Sequence, residues 1–248
     1  AAAGGLLASL GRRPPGSGIT LTGGEPLLRD DLPDIAASAR ESGLQVAVAT
    51  NGIPLTPALA GELFLAGVRH FDVGIETDFR EAAPGIVAAA ASGAGVTVSF
   101  CVTSMSAEKA PEVVRLAAAL GADAVFLNRF ALTGRECDRE YLPSLKDLRE
   151  AFRKAGAEGR RLSVPVVAGI PLEPCLFPEV ESWGIINTGC RCGGHKWAVG
   201  PDGSLRACEQ NPLSLGSLLD HDFEKLAALP GVQAFHEARY RPGCGTCS

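Results

Sequence analysis

No uninterrupted apolar run in this sequence approaches the ~18 residues that a membrane-spanning helix needs. A transmembrane protein is therefore not expected, although 46% of the 248 residues are hydrophobic and mean hydropathy is +0.14. Basic charge is scarce too. Lys and Arg total 23 against 28 Asp and Glu, so the net charge is -5 and the pI near 5.5. That deficit argues against a nucleic-acid binder working through a basic face. Lysine is rarer still, with five (Lys109, Lys146, Lys154, Lys196, Lys225) among the 23 basic residues, a bias that reads as genome composition. The first residue is Ala1 and no basic stretch precedes an apolar core, so no secretion signal is read and a cytoplasmic location is expected. A start at Ala1 also marks the chain as a candidate fragment. There is no cysteine before Cys101, and the chain has eight in all. In a cytoplasmic protein these are expected to be metal ligands or buried thiols rather than disulfides.

A hydrophobic share of 46% with 21% charged residues fits a folded chain. The length suggests one large domain, or one with a small appendix. Short β-rich runs begin at residues 18 (GITLT), 45 (QVAVA), 70 (HFDVGI), 95 (GVTVSFC) and 124 (AVFLN), spaced 27, 25, 25 and 29 residues apart. Between them, segments 32–43, 57–67, 80–93 and 107–121 carry apolar residues at helical spacing, and each closes on glycine. Strand and helix alternating at this period predict βαβ units and a parallel sheet. The continuous apolar strands suit a sheet covered on both faces, either open and doubly wound or curled into a barrel. Further along, a charged helix is expected over 145–157 and a strand over 162–169, followed by a proline-rich passage. A boundary near residue 170 divides domain 1–170 from a Cys- and Gly-rich domain 171–248. The second is too small and loop-rich to rest on a hydrophobic core alone, so a metal staple is expected.

In either α/β architecture, function gathers at the carboxyl ends of the strands. Those ends are polar or glycine-rich here: 22–26 (TGGEP), 50–52 (TNG), 76–78 (ETD), 102–104 (VTS) and 128–129 (NR). Gly23 and Gly24 permit close backbone approach, and Glu25 follows, fixed by Pro26. Two glycines beside a carboxylate suit a ligand with a cationic amine, and an ordinary strand-to-helix turn is the plainer alternative. Phosphate binding is weaker, because Glu25 repels an anion.

The string ITLTGGEPLLRDDL at 19–32 closely resembles the GGEP segment of radical S-adenosylmethionine (radical SAM) enzymes, and VATNG at 48–52 resembles the ending of that family's third strand. The resemblance covers roughly residues 1–135. It implies an α/β fold, a partial (β/α)6 TIM-like barrel whose first strand is missing, with the five strands above as strands two to six. It also implies S-adenosylmethionine as cofactor, with Gly23, Gly24, Glu25 and Pro26 holding its methionine amine and Asn51, Glu76 and Asn128 as further cofactor-binding residues. Asn51 also has a turn-forming reading in Asn-Gly, and surface polarity explains Asn128 and Arg129 as well as a ribose or carboxylate contact does. The family's Cys-x3-Cys-x2-Cys loop, which holds the cofactor-cleaving cluster, is absent from the sequence. The chain is therefore expected to be truncated or a degenerate relative, and truncation is favoured because the strand-end motifs remain. At 74–76 relatives commonly have Ser-x-Asp. Here Glu76 takes the acid's place and Gly74 offers no hydroxyl.

In the tail, residues 196–199 and 204–207 flank a Pro-Asp-Gly turn, which predicts a β-hairpin bringing Cys192 and Cys208 together at its open end. Cys244 and Cys247 have the spacing of a chelating turn. Four such thiolates suit a [4Fe–4S] cluster or a zinc ion. The run Cys192, Gly203, Cys208 is similar to the opening of the SPASM and twitch auxiliary-cluster extensions of radical SAM enzymes. Either Cys190 or Cys192 serves as the first ligand, so the metal candidates are Cys190, Cys192, Cys208, Cys244 and Cys247. Cys101 and Cys137 are read as plain buried or surface thiols, and Cys175, in the proline-rich approach to the tail, as a disfavoured fourth ligand.

The expected function is a radical SAM iron–sulfur enzyme of oxidoreductase or maturase type, inactive as a fragment. It would cleave S-adenosylmethionine to a 5′-deoxyadenosyl radical and modify a peptide, a protein or a cofactor precursor. Implied partners are a peptide, protein or small-molecule substrate and an electron donor such as flavodoxin or ferredoxin, with no nucleic acid and no membrane. No catalytic residue is assigned. The alternative is a non-catalytic metal-binding protein on a degenerate barrel, holding zinc or a single iron–sulfur cluster. A third reading is an unrelated metabolic enzyme using the glycines for phosphate.

Overall fold

A computed structural model describes residues 6–7, 10, 16–75, 79–133 and 138–232. Seven parallel strands form one sheet in sequence order: β1 (Gly18–Leu21), β2 (Gln45–Thr50), β3 (Val68–Ile75), β4 (Gly95–Val102), β5 (Ala124–Arg129), β6 (Val166–Ala168) and β7 (Ile185–Ile186). Five helices make the crossovers from β1 to β6: α1 (Leu32–Glu41), α2 (Pro57–Ala66), α3 (Phe79–Ala91), α4 (Ala110–Ala119) and α5 (Leu145–Leu162). The strand order never reverses. Right-handed crossovers that always step the same way put every helix on one face, so the sheet curls with the other face bare. This is the expected partial-barrel architecture, with one short strand, β7, beyond the five barrel strands and the strand at 162–169 anticipated from sequence.

The one-sided cover departs from the sheet expected to be packed on both faces. Burial along β3 shows it: Phe71, Val73 and Ile75 are buried under the helices, while His70, Asp72 and Gly74 alternate with them half-exposed on the inner face. On β2 the inner positions are Ala47 and Ala49. They read as apolar in sequence, but small size rather than hydrophobicity suits them to a concave surface.

Local chemistry starts and stops the helices where the sequence indicates. The Thr56 hydroxyl accepts from the Leu59 amide at 3.2 Å, and Pro57 supplies the first helical residue of α2. Ser144 caps α5 by accepting from the Asp147 amide at 3.1 Å and donating to its carboxylate at 2.7 Å. This helix runs to Leu162, farther than the anticipated 145–157, and ends on Ser163 in the left-handed region, φ 57°. The strand expected from residue 162 is accordingly confined to Val166–Ala168.

The main core continues past β6 through Leu172, Phe177, Val180 and Ile185. A second, smaller core gathers Leu205, Leu218 and Leu226, with Trp197 and Phe223 edge to face at 5.1 Å between ring centroids. It supports a three-stranded antiparallel sheet of β8 (Ala198–Val199), β9 (Ser204–Arg206) and β10 (Gly216–Ser217), and the short α6 (Phe223–Ala227). Near the start of the chain, Leu7 is buried in the main core, Leu6 packs on the second, and Leu10 packs against both. Among the described residues no helix is long and apolar enough to cross a membrane.

Candidate active site and metal centre

At the carboxyl end of β1, Gly23 and Gly24 are exposed, and a Cβ built on either would meet nothing within 4 Å. Glu25 then caps the 3-10 turn Pro26–Leu28, its Oε1 accepting from the Leu27 amide at 3.0 Å. The same oxygen accepts the Thr50 hydroxyl at 2.6 Å, and Oε2 accepts the Asn51 amide at 2.8 Å. Thr50 is buried at the end of β2 and also accepts from the Gly52 amide at 3.0 Å. The carboxylate thus ties the loop after β1 to the loop after β2. A carboxylate offers about four acceptor positions. Three are taken, and the one left is on Oε2.

The TNG loop is shaped by a close approach. Gly52 has φ 75°, and a Cβ there would lie 2.7 Å from a Val73 methyl. Beneath it, a Cβ on Gly85 of α3 would fall 2.0 Å from the Gly52 carbonyl oxygen. The Asn51 side chain accepts from the Ile53 amide at 2.9 Å, which is its turn-forming role. Asn128, at the end of β5, lies against Gly169 after β6, where a Cβ would be 2.1 Å from its Oδ1. Arg129 is held by Glu173 at 2.7 Å. Glu76 lies outside the described residues.

Deeper on the inner face, the Ser99 hydroxyl donates to Asp72 Oδ1 at 2.6 Å, and His70 Nε2 is 2.8 Å from the Thr97 hydroxyl. Burial raises the Asp72 carboxyl above its ordinary range, against the lowering effects of the Ser99 bond and of the positive charges of His70 and Lys196.

The tail forms the anticipated hairpin. Ala198 pairs with Arg206 and Val199 with Leu205, across a turn in which Gly203 has φ 79°. At its open end Cys192 and Cys208 come together, and the structure adds Glu209: one ligand atom of each lies within 4.8 Å of the others. The Gln210 amide is 3.4 Å from the Cys208 sulfur. Burial, the Cys208 bond and the charges of Cys208, Cys190 and Glu209 push the Cys192 thiol up to about 12. Glu209 stays ionised below its ordinary range although burial opposes this, because Lys196 Nζ stands 2.7 Å from its Oε1. The same pairing keeps Lys196 raised in spite of its own burial. Two sulfurs and a carboxylate at this separation are mutually repulsive once ionised, and a thiophilic cation at their centre relieves the conflict. The donor set therefore fits zinc or the iron of a cluster. Cys190 is exposed and outside this group, as is Cys175, while Cys244, Cys247 and Cys137 lie beyond the described residues. Cysteine spacing could not reveal Thr50 or Glu209, since neither belongs to a cysteine pattern. The one cue to Glu209 was its adjacency to Cys208.

Residues 6–87, which include both strand-end loops, match the model of the radical SAM superfamily. Among similar proteins, pre-heme d1 synthase of Dinoroseobacter shibae is 28% identical over 173 residues, 61% of this chain and 42% of that protein. PqqA peptide cyclase of Streptomyces rochei is 31% identical over 153 residues, 54% of this chain and 42% of that protein. The chain thus spans about two fifths of these curated relatives. Solved structures share the fold. For anSMEcpe with bound AdoMet the TM-score is 0.75 at 16% identity, covering 100% of this chain and 76% of that one. For Streptococcus suis SuiB bound to S-adenosylmethionine it is 0.74 at 13% identity, covering 93% and 59%.

Proposed function

We propose that this chain binds S-adenosylmethionine across the open carboxyl ends of β1 and β2, as part of a radical SAM iron–sulfur enzyme that modifies a peptide, a protein or a cofactor precursor. The carrying observation is the Glu25 carboxylate, fixed by three donors between the two loops with one acceptor position left. That position suits a cationic amine. The bare glycines let a ligand lie on the backbone, and Thr50 keeps Glu25 from swinging away. When bound beside a reduced cluster, S-adenosylmethionine supplies a 5′-deoxyadenosyl radical that takes hydrogen from substrate. The sequence contains no Cys-x3-Cys-x2-Cys, so ligands for that reducing cluster in the family's pattern are not among these residues. Asn51, Asn128 and Glu76 are further cofactor-binding candidates. The substrate class rests on the relatives and neighbours: a PqqA peptide cyclase, SuiB bound to the precursor peptide SuiA, and anSMEcpe bound to peptides. The tail, with Cys190, Cys192, Cys208, Cys244 and Cys247 as thiol candidates, holds an auxiliary [4Fe–4S] cluster in this reading, and the electron donor is a flavodoxin or ferredoxin.

Equilibrium dialysis of the full chain against labelled S-adenosylmethionine tests the reading. Saturable binding, displaced by S-adenosylhomocysteine, is expected. Gly24→Val, whose side chain meets no protein atom near Cβ, is expected to weaken it by at least about tenfold, which is 1.4 kcal/mol. Absence of binding, or equal binding by the variant, overturns it. Metal uptake by the tail without S-adenosylmethionine binding supports instead a metal-binding protein without radical chemistry.

A further inference from the structure

The cysteine spacing points to sulfur ligands alone, yet the atom that completes the cluster at the hairpin's open end is an oxygen. After β9 the chain turns tightly around the Cys208 sulfur, with the Gln210 amide against it at 3.4 Å and the Asn211 amide bonded to the Cys208 carbonyl at 3.1 Å. The turn brings the Glu209 side chain to the thiols while leaving it about half exposed to solvent. Its two oxygens then face different partners: Oε1 is 2.7 Å from Lys196 Nζ, and Oε2 is 3.9 Å from the Cys208 sulfur. Lys196 comes from the opposite arm of the hairpin, four residues beyond Cys192, where the Gly193 amide bonds the Lys196 carbonyl at 2.8 Å. The tight turn containing Cys192 and the turn containing Cys208 therefore each contribute one sulfur and one end of an ion pair. The ion pair holds the carboxylate at the mouth of the thiol pair.

We propose that Glu209 Oε2 is an oxygen ligand of the tail metal centre, forming with the Cys192 and Cys208 sulfurs a mixed face of two thiolates and one carboxylate, and that Lys196 is the positioning residue that holds Oε1. This rests on the proposed function only in taking the tail thiols as a metal site. Its consequence is an asymmetric centre. On a thiophilic metal the carboxylate arm is the weaker one, so the coordination sphere opens at Glu209, on the side of Lys196. A centre with one weak oxygen arm can exchange that ligand, whereas a centre saturated with thiolate cannot.

The test loads the metal-depleted full chain anaerobically with Co(II) and follows affinity and the visible spectrum, alongside iron and sulfide content after reconstitution. Glu209→Gln, which keeps shape and loses charge, is expected to weaken Co(II) by about tenfold or more and to shift the ligand-field bands. Glu209→Cys is expected to restore affinity and add sulfur-to-metal charge-transfer intensity. Lys196→Met is expected to weaken binding severalfold while the band positions stay, because it removes the support and not the ligand. Cys192→Ala is expected to lose the site. The melting temperature of each metal-free variant separates misfolding from lost ligation. If Cys192→Ala loses the metal while Glu209→Gln keeps both affinity and spectrum, the carboxylate is not a ligand and the inference fails with the tail reading intact. If Cys192→Ala keeps the metal, or the wild-type chain takes none, both fail. S-adenosylmethionine binding by the same variants reports on the barrel separately.

Discussion

Thr50→Val asks whether the link between the first two strand-end loops carries the weight placed on it. Valine matches threonine in shape, so the change removes one hydroxyl and little packing. That hydroxyl donates to Glu25 Oε1 at 2.6 Å and accepts from the Gly52 amide at 3.0 Å. A hydrogen bond to a charged group contributes about 1.5–3 kcal/mol and a neutral one about 1 kcal/mol, and the Gly52 amide is left buried without its partner. The total cost is about 3 kcal/mol, which in a chain of this size corresponds to a fall of roughly 6–12 °C in melting temperature. Urea unfolding with and without S-adenosylmethionine measures it. The ligand should restore less stability in the variant than in the wild type, because the carboxylate meant for the amine is no longer fixed. Glu25→Gln breaks the same link from the other side, since one end of its amide presents a donor where the Leu27, Thr50 and Asn51 donors converge. The double variant should then cost less than the sum of the single ones by at least about 1 kcal/mol. A loss under about 0.5 kcal/mol for Thr50→Val, or strict additivity in the cycle, would refute the linkage.

Gly85→Ala places a methyl 2.0 Å from the Gly52 carbonyl oxygen, a backbone atom that cannot swing aside. It should destabilise by about 1–3 kcal/mol or more and displace the TNG loop, detectable as lower melting temperature and weaker S-adenosylmethionine binding together. Asp72→Asn keeps an acceptor for Ser99 and removes the charge. Because burial raises the Asp72 carboxyl above its ordinary 3.8, the folded form binds the proton more tightly than the unfolded one, and wild-type stability is lost as pH rises from that value through the raised one. The variant's advantage in melting temperature should therefore be small in acid and grow toward neutrality. An advantage constant with pH would show that Asp72 is not strained by its burial.

The barrel was legible because its signal is local. Strands at the anticipated 18, 45, 70, 95 and 124 begin within two residues of those positions, since each combines an apolar run with a polar strand end that a parallel sheet requires. The short additions were not legible. β7 and β10 have two residues each, too few to show any period, and they exist only because neighbouring strands offer an edge. The anticipated two-sided cover failed at Ala47 and Ala49, where an apolar letter stands for small size. Within the site, Gly23, Gly24 and Glu25 stood out as a motif. Thr50 and Glu209 did not, because their meaning comes from partners 25 residues away in one case and across a hairpin in the other. Cys192 and Cys208 were paired in advance because a hairpin's geometry follows from its turn. Glu209 had no such rule to announce it.

The leucines near the start of the chain give the molecule a mechanical property. Leu7 is anchored in one hydrophobic interior, Leu6 packs against the other, and Leu10 touches both. A single short stretch therefore acts as a rivet through two plates. Pulling either plate loose shears the rivet, so loading the tail with metal should slow amide exchange at β1 and its neighbours far from the thiols. A leucine-to-serine change at position 7 should loosen both halves together.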